Sequence, residues 1–288
     1  MKKIKSIIII LLIILFSSML GGDKYNCEYK MTNKINKVEK KKVKKRKSNI
    51  CIITNNFNKG DKFGIEYLMD MEVCTSGDYK TTMEILTNQE INVVDINENY
   101  INLKIRINDI HLDVNNNENI VNVNCNNDQY KDFYNLISEK ELEVVVGIKT
   151  KSVNVSNLHE FGEDIPFEIE NIQKCIWEGV LQFEGSQINN DGSITLGDMA
   201  NIFGFQIVNK VDINRLSNTI EEKVIEKNKD KYSINLNISN DQVDDYTYNL
   251  NLNSDINLRK GIASSIDADW NVNNNETNIV VNTKIKIL

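Results

Sequence analysis

The chain has 288 residues, and its 34 Lys and Arg against 41 Asp and Glu give a formal net charge of −7. Residues 1–48 hold 14 of the basic and three of the acidic side chains, which leaves 20 basic and 38 acidic side chains, a net charge of −18, for residues 49–288. This excess of acid argues against nucleic-acid binding by the larger part of the chain.

The N-terminus has the layout of a secretory signal. Two lysines follow Met1, a third stands at Lys5, and an apolar run from Ile7 to Leu20 is broken only by two serines before Gly21-Gly22. A charged start, a short apolar stretch and small residues where a peptidase cuts are typical of exported proteins. The pattern predicts a signal peptide over residues 1–22 and a secreted or cell-envelope protein, with an uncleaved anchor as the alternative.

Residues 23–48 are predicted to be a basic, disordered tether, because nine of the side chains between residues 34 and 47 are Lys or Arg. The functional alternative is peripheral contact with an anionic surface, such as lipid headgroups or a cell-surface polymer, through Lys37 to Lys47.

From residue 49 onward, apolar and polar residues alternate, as in strands with one buried face. The alternation runs from Phe63 to Val73, shifts phase after Ile107 in a way that predicts a β-bulge near Asn108-Asp109, and returns in four segments between residues 234 and 287. The sequence predicts a mainly β (α+β) domain over residues 49–288: a curved antiparallel sheet, or half-barrel meander, covered by two or three helices. Two halves, 49–160 and 161–288, are the alternative division.

Helices are predicted at residues 128–138, where four aromatic and aliphatic residues recur at helical spacing, and at residues 219–229, where Asn218 is a suitable cap and Ile220 and Val224 share a face. The stretch 160–178 is predicted to be irregular or partly helical. Between these segments, residues 141–149 and 152–158 are predicted to form a strand pair.

Residues 136–161 resemble the central strand pair of an uncharacterised family of secreted bacterial β-sheet proteins. Residues 57–63 and 258–261 are compatible with the same layout, although Gly197-Asp198 lacks the Trp that follows this pair in the family. The resemblance implies the fold and export, and it implies no activity.

Residues 187–198 carry the most specific local pattern. They resemble the calcium loop of dockerin and EF-hand modules, with Gln187, Asn189, Asp191, Ser193, Thr195 and Asp198 at the ligand positions and Gly192 at the turn. Calcium is therefore the cofactor to expect here, if there is one. The alternative is a β-hairpin whose turn is Asn190-Asp191-Gly192, flanked by Ile188 and Ile194.

Known catalytic motifs are missing from the sequence. It has no nucleophile elbow, phosphate-binding loop or metalloprotease motif, and only two histidines, His111 and His159. Five cysteines at irregular spacing fit no zinc motif; they are interpreted as small buried residues or, alternatively, as one or two disulfides.

These patterns predict a non-enzymatic secreted or envelope protein that binds an apolar or amphiphilic ligand on its curved sheet, because Tyr and Met recur at alternate strand positions. The same residues would also make an ordinary packed core. An adhesion or protein-interaction module, using the basic tether and the calcium-type loop, is the second hypothesis, and a hydrolase whose site is scattered along the sequence is the third.

Overall fold

The computed structural model describes residues 51–75, 79–116, 120–124, 131–161, 166–189, 194–195, 221–228, 231–243, 246–257 and 259–288. The strands in these ranges are β1 (Cys51–Ile52), β2 (Lys62–Thr75), β3 (Tyr79–Ile96), β4 (Tyr100–Asn116), β5 (Ile120–Val123), β6 (Leu142–Gly147), β7 (Val153–Val155), β8 (Gln187–Ile188), β9 (Ile194–Thr195), β10 (Glu221–Asn228), β11 (Lys231–Val243), β12 (Tyr246–Asn257), β13 (Ile262–Asn273) and β14 (Thr277–Ile287). The helices are α1 (Lys131–Glu139), α2 (Pro166–Val180) and a 3-10 turn at Leu158–Phe161.

Most of these strands belong to one sheet of eleven. Its order is β10-β11-β12-β13-β14-β2-β3-β4-β6-β7, with β5 also pairing with β4, and every neighbouring pair is antiparallel. The last strand, β14, lies beside the first long strand, β2, and pairs with it from Thr277↔Thr75 to Ile287↔Ile65. The predicted antiparallel sheet is confirmed, and its two sequence-distant parts form one layer.

The sheet has one apolar face because the alternation of side chains is in register from strand to strand. The buried positions of its central strands include Ile65, Tyr67, Met69 and Met71 of β2, Ile101, Leu103, Ile105 and Ile107 of β4, Tyr248, Leu250 and Leu252 of β12, and Ile266, Ala268 and Trp270 of β13. The other face of these strands is polar and is called the wet face below.

The predicted bulge in β4 is confirmed. Asn88 pairs with Asp109 and the next residue, Gln89, pairs with Ile107, so Asn108 is the extra residue that the backbone register skips. The extra residue moves the buried positions of β4 from odd to even numbers, and Ile110 is buried as a result.

One predicted helix is wrong. The helix predicted at residues 128–138 is present as α1, and the stretch predicted to be irregular or partly helical contains α2. Helix α2 begins at Pro166, where the missing N–H of proline costs no hydrogen bond within the helix. Residues 219–229, however, contain the strand β10 rather than a helix. Pairing with β11 along Glu221–Asn228 overrides the local helix preference of this Glu- and Lys-rich segment.

The sheet curls around α2. At one end of the helix Glu170 accepts a hydrogen bond from the backbone N–H of Val155 in β7 (3.4 Å), and just beyond the other end Gln182 donates to the hydroxyl of Ser254 in β12 (3.4 Å). In a flat sheet β7 and β12 would be about 33 Å apart, since seven strand spacings separate them. Glu170 and the end of the helix at Val180 are only about 15 Å apart along the helix axis, and the curvature of the sheet brings both strands within reach of these side chains.

Lys151 holds the carboxyl end of α2. It lies in the turn between β6 and β7, is 1% exposed, has a positive φ of 53°, and donates from Nζ to the carbonyl of Gln182 (3.2 Å). Burial lowers the pKa of its ammonium group to about 8, although the nearby Glu178 and Glu184 carboxylates act to raise it.

Several predictions fall outside the described residues, including the signal peptide, the basic tether, Cys27 and Cys125. Of the described cysteines, Cys51, Cys74 and Cys175 are free thiols. No helix among the described residues combines the length and apolar character needed to cross a membrane.

Candidate functional site

The Tyr and Met positions that suggested a ligand surface belong to the core. Tyr67, Met69, Met71 and Tyr248 are all less than 8% exposed, as the packed-core alternative predicts. These side chains are therefore packed in the core and do not form an exposed ligand surface.

A groove crosses the wet face from β11 to β3, and its cavity volume is about 650 Å³. It is referred to below as the wet-face groove and is defined by Leu68, Leu86, Asn253, Asp267, Lys284 and Lys286. Cavities of this size are typical of small-molecule sites, which combine an apolar lining with a few polar groups.

The register places five of the six defining side chains, all except Lys286, in one row across five strands. Asn253 of β12 pairs with Asp267 of β13, Asp267 with Lys284 of β14, Lys284 with Leu68 of β2, and Leu68 with Leu86 of β3. Neighbouring strands lie about 4.8 Å apart, so the row is about 19 Å long.

Two leucines form an apolar floor at one end of this row. Leu68 and Leu86 stand directly opposite each other on a face where their neighbours along β2 and β3 are charged or polar, and both are half-buried. A cross-strand pair of this kind provides contact area for a hydrocarbon group.

Two ion pairs line the middle of the groove. Lys284 lies 3.5 Å from Asp267, and Lys286 lies 3.3 Å from Glu66, with all four side chains well exposed. Such pairs contribute little to stability, typically about 0–1 kcal/mol, so either pair can rearrange around a ligand at small cost.

Asp255 also lines the groove, and three polar contacts hold its carboxylate in place. Its carboxylate accepts hydrogen bonds from the hydroxyls of Ser233 (2.6 Å) and Ser265 (3.0 Å) and pairs with Lys231 (2.6 Å). Burial acts to raise its pKa, but these hydrogen bonds outweigh that effect and hold the pKa below its usual value.

A second, acidic cavity of about 400 Å³ lies beside the groove on the wet face. Its Asp70, Glu84 and Asp113 face one another on three successive strands. Within the described part of the chain, no group of three or more His, Cys, Asp or Glu side chains is placed to hold a metal ion.

The predicted calcium loop is only partly described. Asp191, Ser193 and Asp198 lie outside the described residues. Gln187 and Ile188 pair with Thr195 and Ile194, and Asn189 donates to the Thr195 hydroxyl (3.0 Å), which is the ladder that the hairpin alternative predicts. Calcium binding by this loop stays a prediction.

Neither histidine joins the groove. His111 pairs with Leu86 at the end of the groove row and is half-buried, whereas His159 is exposed in the 3-10 turn. Sequence reasoning missed the groove residues, although one signal was visible: Leu68 is an apolar residue in the polar phase of β2.

No family model and no curated protein matches this chain. Among solved structures it is similar to a structure of lipid–protein interactions in lipovitellin, with a TM-score of 0.45 and 11% identity over 81% of this chain and 25% of that one. It is also similar to an outer membrane channel from Pseudomonas putida F1, with a TM-score of 0.20 and 7% identity over 81% of this chain and 97% of that one. The chain thus spans about a quarter of the lipovitellin chain.

Proposed function

We propose that this protein is a non-enzymatic, secreted or cell-envelope protein whose wet-face groove binds an amphiphilic ligand. The observation that carries the proposal is the Leu68–Leu86 floor, which lies next to Lys284 and Asp267 in a cavity of about 650 Å³. A ligand with one apolar and one polar part matches this division, because each part meets its own kind of surface.

The extracytoplasmic location rests on the sequence of residues 1–22. Their charged start, apolar run and terminal glycines favour export, and the ligand would then be met in the envelope or outside the cell.

Replacing both floor leucines by threonine tests the site. Leu68→Thr with Leu86→Thr introduces β-branched, strand-compatible side chains while it removes most of the apolar contact. Each change should cost about 1 kcal/mol of binding free energy, so the double variant should bind a ten-carbon amphiphile about 10-fold to 30-fold more weakly. Calorimetric titration of the full-length chain, below the critical micelle concentration of the amphiphile, gives the dissociation constant.

Val280→Thr is the matched control. Val280 belongs to the same face of the sheet but lines the acidic cavity instead of the groove, so this variant should bind like the wild type. Equal affinity of the double variant and the wild type would contradict the proposal, and so would the absence of binding to the wild type.

A further inference from the structure

The two ends of the wet-face groove differ in chemistry. The end on β2 and β3 carries the Leu68–Leu86 floor, whereas the end on β12, β13 and β14 carries Asn253, Asp267 and Lys284 in direct register. The polar end is about 10 Å wide, since it covers two strand spacings, and the apolar end covers one, about 5 Å. A ligand lying along the row would therefore place its chain over one end and its head over the other.

The charges around the polar end cancel. Lys231 pairs with Asp255, Lys284 with Asp267, and Lys286 with Glu66, all within 4 Å. An ionic head of either sign would therefore meet a like charge beside each opposite one. These three pairs together therefore carry no net charge that would favour a charged head.

The polar end is rich in hydrogen-bonding groups of both kinds. Asn253 accepts from Asn235 (2.5 Å) and keeps its amide hydrogens as donors, the Asp267 carboxylate has acceptor positions beyond its one ion pair, and Lys284 has three N–H donors. Hydroxyl groups donate and accept at once, so several hydroxyls on one head can use this alternation of donors and acceptors.

From this arrangement we propose that the ligand of the wet-face groove carries a neutral, hydroxyl-rich head over β12–β14 and an alkyl chain over Leu68 and Leu86. This inference rests on the proposed function and specifies the class of ligand: an alkyl glycoside or glycolipid rather than a fatty acid or a cationic amphiphile.

Three amphiphiles with the same ten-carbon chain test the head preference: decyl maltoside, decanoate and decyltrimethylammonium. Each is titrated into the full-length protein below its critical micelle concentration. Decyl maltoside should bind at least about 10-fold more tightly than the other two, which corresponds to about 1.4 kcal/mol.

Two variants at the polar end make the test residue-specific. Asn253→Ala should weaken decyl maltoside about 5-fold or more, in line with the loss of one hydrogen bond. Asp267→Asn should tighten decanoate, because Lys284 loses its carboxylate partner, and should thereby reduce the preference for the maltoside over decanoate. Asn251→Ala is the control, since Asn251 lies on β12 in the neighbouring row and pairs with Asp269 outside the groove.

Tighter binding of decanoate or decyltrimethylammonium than of the maltoside would overturn the inference, as would an unchanged maltoside affinity in Asn253→Ala. The proposed function would survive either result as long as the leucine double variant still loses binding. If none of the three amphiphiles binds the wild type, the proposed function fails, and this inference fails with it.

Discussion

Gly261 is a residue whose lack of a side chain holds two distant segments together. It follows the turn between β12 and β13 with a φ of +63°, and a Cβ added there would lie 1.6 Å from the carbonyl oxygen of Thr54. The same turn binds the segment before β2 through Asn56 N–H to Lys260 O (2.7 Å) and through the Lys260–Asp61 ion pair, whose hydrogen bond lowers the pKa of Asp61.

Gly261→Ala should therefore lower the free energy of unfolding by about 2 kcal/mol or more, because backbone rather than a flexible side chain must move. Gly60→Ala is the control: Gly60 also has a positive φ, +88°, but an added Cβ would meet nothing within 4 Å. Its cost should be the conformational one alone, about 1 kcal/mol. Urea unfolding followed by circular dichroism measures both, and equal losses in the two variants would refute the steric explanation.

Lys151 should make stability depend on pH in a defined window. Its pKa is lowered by burial to about 8 from an ordinary value of 10.5. Below pH 8 the Lys151 side chain is protonated in both the folded and the unfolded chain, so the cost of burying its charge lowers the free energy of unfolding in full. As pH rises from 8 to 10.5 the folded chain releases the proton first, so the free energy of unfolding rises.

Between about pH 7 and about pH 9 the wild type should gain about 1 kcal/mol relative to Lys151→Met, which lacks the titrating group. Cys175 acts in the opposite direction at higher pH, because burial raises the pKa of its thiol to about 12 from 9, but both proteins carry it and its effect cancels in the comparison. Urea midpoints across this range are the measurement, and parallel pH profiles of the two proteins would contradict the assignment.

At the level of elements, the sequence predicts those strands whose inward positions are mostly apolar. β2 and β12–β14 have this pattern, with Ser254 and Thr283 as the buried polar exceptions, and the phase shift in β4 marks the bulge at Asn108. The 18-residue strand β3 escapes prediction, since its buried positions include Thr81, Thr87 and Gln89, which break the apolar rhythm. The sequence of β10 is predicted to be helical because its many charged residues leave no apolar alternation. In the structure β10 is the edge strand of the sheet, and charged residues are common in edge strands.

The groove is formed by side chains from five different strands, so it depends on how the strands pair. Leu68 is visible as an exception within β2, but its partner Leu86 lies on the unpredicted strand, and Asp267 and Lys284 enter the row only through the pairing of β13 with β14 and of β14 with β2. Register sets which wet-face residues meet, and it is determined by the whole hydrophobic pattern rather than by local sequence. The candidate site could therefore not be predicted from the sequence, although the fold class could.

For the whole molecule, we expect the pairing between β14 and β2 to make the sheet unfold as one unit. Residues 49–160 and 161–288 supply different strands of one sheet, and α2 contacts β7 while Gln182, just beyond it, contacts β12. Ile285 of β14 is 2% exposed and pairs directly with Tyr67 of β2.

Ile285→Ala should cost about 2–5 kcal/mol and should lower the protection of β4 and of β12 against hydrogen exchange by the same amount, because both open only when the whole sheet opens. Exchange measured by mass spectrometry on peptides from residues 101–110 and 248–256 checks this. If residues 49–160 and 161–288 were independent domains, only the peptide 248–256 would lose protection. Retained protection of β4 would then show that β14 and β2 form a contact between two domains.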